Sequence, residues 1–262
     1  MKKRALTGIC IAAMLMALMG CGSKAPEPTV KEDIAETVEK AAEEEQEEAA
    51  PVEEEADETN ADKEEPAEAE ESGDEPEFSI GEIKDNTYEN EYLNMRFTPL
   101  EGMEFASEDR LAQLSSVTAD LFKDEEAVKK QLDSGSVILS CYASSDETKA
   151  PVKTFNVTMQ TVNALQMLNA DEETILDQAT ETIKNVFEQN GFTNVQISKE
   201  KMTFLGDEHS VMYLTAEKQG IGKLYEREVV VIQNGCVASY TASVVGAEED
   251  ISKDILDQVK EY

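Results

Sequence analysis

Between residues 24 and 85 the chain carries 26 Asp and Glu against 5 Lys, and this stretch decides where a fold can begin. Runs such as Glu43 to Glu48 and Glu53 to Glu58 repel themselves, and scattered prolines break any longer pattern. Few large apolar residues interrupt the charge, so burial has little with which to offset chain entropy. An acidic linker is expected, with transient helix from Val30 to Glu48 because Glu and Ala favour it. Diffuse carboxylates without a fixed loop read as a solvated spacer rather than a calcium site. A flexible chain of this length spans on average at least about 40 Å, enough to hold a domain away from a surface.

What precedes the acidic stretch is opposite in character. Lys2, Lys3 and Arg4 are followed by an apolar run from Ala5 to Met19, then Gly20 and Cys21. About 15 apolar residues fall short of the roughly 20 that a spanning helix needs, so the segment reads as a signal peptide. Leu18, Met19, Gly20 and Cys21 resemble the lipobox of bacterial lipoproteins. That resemblance implies a diacylglyceryl thioether on Cys21, cleavage between Gly20 and Cys21, and a palmitate-type acyl chain on the new amine. Each buried methylene contributes about 0.8 kcal/mol, which makes two or three chains a lasting anchor. The expected location is the cell membrane, with the domain lipid-anchored and facing the extracytoplasmic side.

The divisions that follow are 1–20 as signal peptide, 21–85 as lipidated N-terminus and acidic linker, and 86–262 as the folded domain. Roughly 175 residues suffice for one core without help from metals or disulfides. Thr87 to Asn94 and Met95 to Pro99 read as strands. Ser107 caps a helix through Leu111, Leu114, Val117, Leu121 and Phe122, and a helical turn from Glu125 to Leu132 ends at Ser134 and Gly135. Val137 to Ser144 and Thr154 to Val162 alternate as strands, and Asp171 opens a helix whose Ile175, Ala179, Ile183, Val186 and Phe187 share one face. Four strands then form a meander with turns at Gly206 to Glu208, Gly220 to Gly222 and Asn234–Gly235, the last pair suited to positive φ. A closing helix from Glu248 to Lys260 would pack through Ile251, Ile255, Leu256 and Val259. The order ββαββαββββα predicts an α+β domain, an antiparallel sheet covered by helices.

The opening Tyr88, Glu89, Asn90, Glu91, Tyr92 and Leu93, with Phe97, Pro99 and Gly102, resembles uncharacterised lipoproteins of Clostridia-type Gram-positive bacteria. Gly191, Phe192 and the turn from Gly206 to His209 extend the resemblance over residues 82–262. At the level of element order the domain is similar to the PsbP-like α/β/α sandwich. That family carries no established catalytic residues, so the resemblance transfers none.

Chemistry must therefore come from individual side chains. His209 is the sole histidine and sits beside a hairpin turn, with Asp207 and Glu208 as mere sequence neighbours, so an ordinary turn histidine is favoured over a zinc ligand or a triad member. Cys141 and Cys236 fall in predicted strands, where an exported domain could pair them, yet their alternation with Val137, Leu139, Ala143, Ala238, Tyr240 and Ala242 favours two buried thiols. Cys10 leaves with the signal peptide. The acidic triplets Asp124 to Glu126, Asp171 to Glu173 and Glu248 to Asp250 each stand where a helix is expected to begin, which the helix dipole explains without a metal. No phosphate loop, EF-hand, H-E-x-x-H or C-x-x-C occurs. No catalytic residue, metal or cofactor is assigned.

About 16 net negative charges on the domain oppose nucleic acid and anionic lipid surfaces. The expected function is a noncatalytic binding or interaction module of the envelope, held to the membrane through Cys21, with an envelope protein or wall component as partner. The alternatives are an envelope enzyme and a small-ligand-binding lipoprotein. A two-lobed transport receptor needs more chain than this domain offers. Convergent polar groups in a pocket would favour a ligand, titratable residues in a cleft an enzyme, and a broad exposed apolar patch a protein partner.

Overall fold

Alternation of side chains along the strands sorts most of this molecule into two faces of one large sheet. The computed structural model describes residues 76–115, 117–161 and 171–262. The expected signal peptide, the Gly20–Cys21 junction and the acidic linker up to residue 75 lie outside the described residues. In chain order the strands are β1 (Glu82–Lys84), β2 (Thr87–Asn90), β3 (Met95–Phe97), β4 (Glu104–Phe105), β5 (Ile138–Ser144), β6 (Val152–Thr161), β7 (Thr193–Phe204), β8 (Asp207–Lys218), β9 (Gly222–Gln233), β10 (Cys236–Val245) and β11 (Val259–Glu261). The helices are α1 (Glu108–Ser115), α2 (Glu125–Asp133), α3 (Glu172–Gln189) and α4 (Ser252–Leu256), with a 3-10 turn at Ala119–Lys123.

The architecture is α+β, as the element order implied, but it contains two antiparallel sheets. One has four strands in the order β1-β2-β3-β11, and the other has seven in the order β4-β5-β6-β10-β9-β8-β7. One face of the large sheet presents Phe155, Val157, Met159, Ala238, Tyr240, Val229 and Val211 to a core that includes Tyr88, Met95 and Phe97 of the small sheet, Val128 and Leu132 of α2, and Ile255 and Leu256 of α4. Phe97 stacks on Phe155 with ring centroids 3.8 Å apart. The other face carries α3, which buries Ile175, Leu176, Ala179, Ile183 and Phe187 against Met212, Leu214, Leu224 and Val230. Further along that face α1 sets Leu111 and Leu114 on Leu139 and Tyr142. A residue on one side of a strand therefore meets the small sheet, and its neighbour meets a helix.

Several expectations need correcting. The fold begins ahead of residue 86: β1 pairs with β2, Ile80 is buried, and Phe78 meets Tyr92 edge-on at 5.3 Å. Three apolar residues in an acidic neighbourhood supply that strand and its anchors. The helix from Ser107 stops at Ser115, and Leu121 and Phe122 belong to the 3-10 turn. Its cap is as expected, since the Ser107 hydroxyl accepts from the Arg110 amide at 3.3 Å. The closing helix is five residues long, and Val259 lies instead in β11 opposite Phe97. Its spacing from Ile255 suits a helix, but the unpaired edge of β3 offers Val259 burial and backbone partners together. The first meander turn is Leu205–Gly206, both at positive φ, as are Asn234 and Gly235 in the last; these two-residue turns twist as the strands do.

Candidate functional site: a polar face buried under helices

The helix-covered side of the large sheet is apolar at its margins and polar at its centre. On β6 the residues facing that side are Thr154, Asn156, Thr158 and Gln160; on β10 they are Ser239, Thr241 and Ser243; on β9 they are Glu226 and Glu228. The register aligns them. Thr154, Ser243 and Glu226 form one row across the three strands, and Asn156, Thr241 and Glu228 form the next. With strands about 4.8 Å apart, each row spans about 10 Å. All are buried, and Asn156, Thr158, Glu226, Glu228, Ser239, Thr241 and Ser243 expose no surface at all.

Some bonds stay within the patch. The Ser243 hydroxyl donates to Glu226 Oε2, the Ser239 hydroxyl to Glu228 Oε1, and Gln160 Nε2 to the Gly135 carbonyl at 2.7 Å. Other atoms have no partner among the described residues: Thr154 Oγ1, both amide atoms of Asn156, Thr158 Oγ1, Gln160 Oε1, Thr241 Oγ1 and Glu226 Oε1. Gln178 Oε1 of α3 and Ser115 Oγ of α1 share that condition. Leaving a buried polar group unbonded costs roughly 1–3 kcal/mol. Six such side chains on the sheet sum to on the order of ten kcal/mol, as large as the roughly 5–15 kcal/mol net stability of a whole domain. Ordered water or a polar molecule would lower that cost where the elements covering the face part to admit it.

Glu226 is the group with the most chemical latitude. Burial, and then the neighbouring Glu228 charge, push its carboxyl up to about 8 against the opposing hydrogen bond from Ser243. A carboxyl in that range can give or take a proton near neutrality. Among the described residues no group of three or more His, Cys, Asp and Glu is placed to hold a metal.

The residues singled out from sequence lie elsewhere. His209 is buried near the start of β8, with Nδ1 2.9 Å from both carboxylate oxygens of Glu172, so it ties α3 to the sheet. Its pairing with a helix-terminal Glu rather than Asp207 or Glu208 gives it a structural role. Cys141 and Cys236 are both free and buried on the opposite face. Cys141 stands opposite Val157 and Cys236 opposite Thr161, on strands separated by β6. Two strand spacings across and four residues along place their Cα atoms on the order of 16 Å apart, beyond the roughly 7 Å a disulfide spans. Burial pushes both thiols upward, Cys236 to about 12.

Of the acidic triplets, two cap helices: Asp124 accepts from the Ala127 amide at 3.1 Å and Asp171 from Thr174 at 2.7 Å. The third does something else. Asp250 accepts from the Ser252 amide and hydroxyl and pairs with Arg227 of β9, which also reaches Ser252 Oγ at 2.6 Å and Glu200 at 3.2 Å and lies over Tyr213. That clasp holds α4 to the sheet. Burial alone would raise the Asp250 carboxyl, but bonds from Ser252 and Arg227 outweigh it and hold the group below the usual range.

No helix among the described residues is long and apolar enough to cross a membrane. No protein-family model matches the sequence, nor does any curated protein. Among solved structures the chain is similar to CyanoP, the cyanobacterial PsbP of Synechocystis sp. PCC 6803, with a TM-score of 0.41 at 11% identity over 71% of this chain and 98% of that one. It is also similar to LpqN, involved in cell envelope biogenesis of Mycobacterium tuberculosis, with a TM-score of 0.34 at 11% identity over 63% of this chain and 76% of that one.

Proposed function

We propose that this chain is a lipid-anchored protein of the bacterial envelope whose extracytoplasmic domain is a noncatalytic module that binds a small polar molecule. The binding half rests on one observation, the rows of buried and unpartnered polar atoms on β6, β10 and β9. Retaining them costs stability that an apolar face would not, and binding is the return that explains the cost. The anchoring half rests on the basic and apolar N-terminus and on the lipobox-like Leu18 to Cys21. An envelope enzyme is the second reading, favoured by the raised carboxyl of Glu226.

The test is intact-mass analysis, under nondenaturing conditions, of the full chain released gently from its own membranes. A bound small molecule is expected, absent when Asn156→Leu fills the centre of the patch. A chain free of any adduct, with the variant indistinguishable, would overturn the binding role. A bound mixture of a molecule and its cleavage product would shift the choice to the enzyme. In the same cells Cys21→Ala is expected to leave the chain unlipidated and out of the membrane fraction; unchanged retention would remove the anchor.

A further inference from the structure

We infer that α3 is a lid over Glu226 that loosens as pH rises, pivoting at Gly191 so that its N-terminal end lifts from the polar face. The inference does not rest on the binding role above: it fixes when the face opens, not what enters. The first ground is what the helix covers. Glu226 and Glu228 lie between Leu224 and Val230 on the side of β9 against which α3 packs. There Glu226 exposes no surface, its Oε2 accepts from Ser243, and its Oε1 has no partner among the described residues. An ionised carboxyl in that place lacks both water and a counter-ion, and opening restores the water.

The second ground is what faces this carboxyl. The buried side chains of α3 are Ile175, Leu176, Ala179, Ile183 and Phe187, all apolar. Its charged residues Glu173, Asp177, Glu181, Lys184 and Glu188 are exposed, and Glu172 is held by His209. Alongside, β8 presents Met212 and Leu214, and β10 presents Ser239, Thr241 and Ser243. On β7, two strands away, Lys199 pairs with Glu173 and Asp177, and Lys201 bonds to Ser210. The titratable neighbour is Glu228, of the same sign, so nothing facing Glu226 supplies a positive charge. With α3 closed the carboxyl stands near 8 against an ordinary 4.5, so between those values the closed form keeps a proton that the open form loses. Closure is therefore firm below about pH 4.5, weakens as pH rises, and weakens no further above about pH 8.

The third ground is how α3 is fastened. Its C-terminal end runs through Asn190 and Gly191, the latter at φ 82°, directly into the pairing of β7 with β8. Phe187 and Phe192 meet edge-on across that bend at 5.2 Å. The N-terminal end is held by side chains instead, Glu172 by His209, and Glu173 and Asp177 by Lys199. The lysine pairs are open to solvent and exchange readily for water, so this is the end that lifts.

The experiment is backbone hydrogen exchange of the full chain, followed by mass spectrometry between pH 5 and pH 9, with Glu226→Gln beside it. Dividing the native rate by the variant rate at each pH cancels the intrinsic effect of hydroxide. For the amides from Ile175 to Ile183 that ratio is expected to rise about tenfold per pH unit up to about pH 8 and then level off. Amides of β10, which need wider unfolding, are expected to stay at least about tenfold more protected than those of α3 at every pH. Ser243→Ala removes the bond that supports the ionised carboxyl, so its α3 amides are expected to follow the native chain to about pH 8 and to go on gaining above it; this arm needs no folded Glu226→Gln. A flat ratio for α3 would overturn the lid. Equal protection of α3 and β10 would overturn it too, because the whole domain would then open at once. A Ser243→Ala chain that levels off with the native one would assign the pH response to another group and contradict the role of Glu226.

Discussion

Glu226 shows how much one buried carboxyl governs. Its pKa stands near 8 in the fold against an ordinary 4.5, because burial and then Glu228 oppose ionisation more than Ser243 supports it. Between those two values the unfolded chain has lost its proton while the folded chain keeps it. The folded state thus binds the extra proton, and stability from this group is full below about pH 4.5, falls as pH rises, and levels off above about pH 8. At about 1.4 kcal/mol per pH unit the loss approaches roughly 5 kcal/mol. Glu226→Gln carries no such proton, so urea unfolding at pH 5 and pH 8 is expected to show the variant gaining on the native chain by several kcal/mol at the higher pH. Curves that stay parallel would mean that Glu226 is ionised throughout. His209, which sequence made conspicuous as the sole histidine, turns out to bond to Glu172 at the start of α3. Its partner lies 37 residues away, so no spacing rule could have found it.

At the scale of elements, what sequence discloses depends on whether a local pattern or a distant partner settles the structure. Asp124, Asp171 and Ser107 cap their helices through amides three residues on, and Asn234–Gly235 turns the chain within two residues; all four are legible because the physics is local. The C-terminus is different. Ile251, Ile255, Leu256 and Val259 carry a helical spacing, yet β11 forms because the edge of β3 is free to accept it. Deleting residues 259–262 removes a buried valine and its strand pairing, and is expected to lower stability by about 2 kcal/mol in urea unfolding. No loss would argue that the small sheet gains nothing from its fourth strand.

At the scale of the molecule, the polar face was hidden in plain alternation. Along β6 the series Thr154, Asn156, Thr158 and Gln160 opposite Phe155, Val157 and Met159 reads as a strand with one wet side. Only the strand order places that side beside Ser239, Thr241 and Ser243 and beside Glu226 and Glu228, between α1 and α3 and away from solvent. A signal did exist: three strands destined for the middle of a helix-covered sheet all carry small polar or acidic residues on one parity, where two apolar faces are the rule. The α+β class and the meander followed from the sequence, whereas the second sheet and the site required the long-range pairing. If the face is built for a ligand, its hydroxyls burden the ligand-free fold. The most direct measurement is urea unfolding of the double variant Thr158→Val with Thr241→Val against the native chain, both refolded from denaturant so that bound molecules are removed. A gain of about 2–6 kcal/mol is expected, since each change deletes a buried hydroxyl without a partner and keeps its shape, at roughly 1–3 kcal/mol apiece. A loss of similar size would contradict the binding role, because it would mean that these hydroxyls are satisfied within the fold itself.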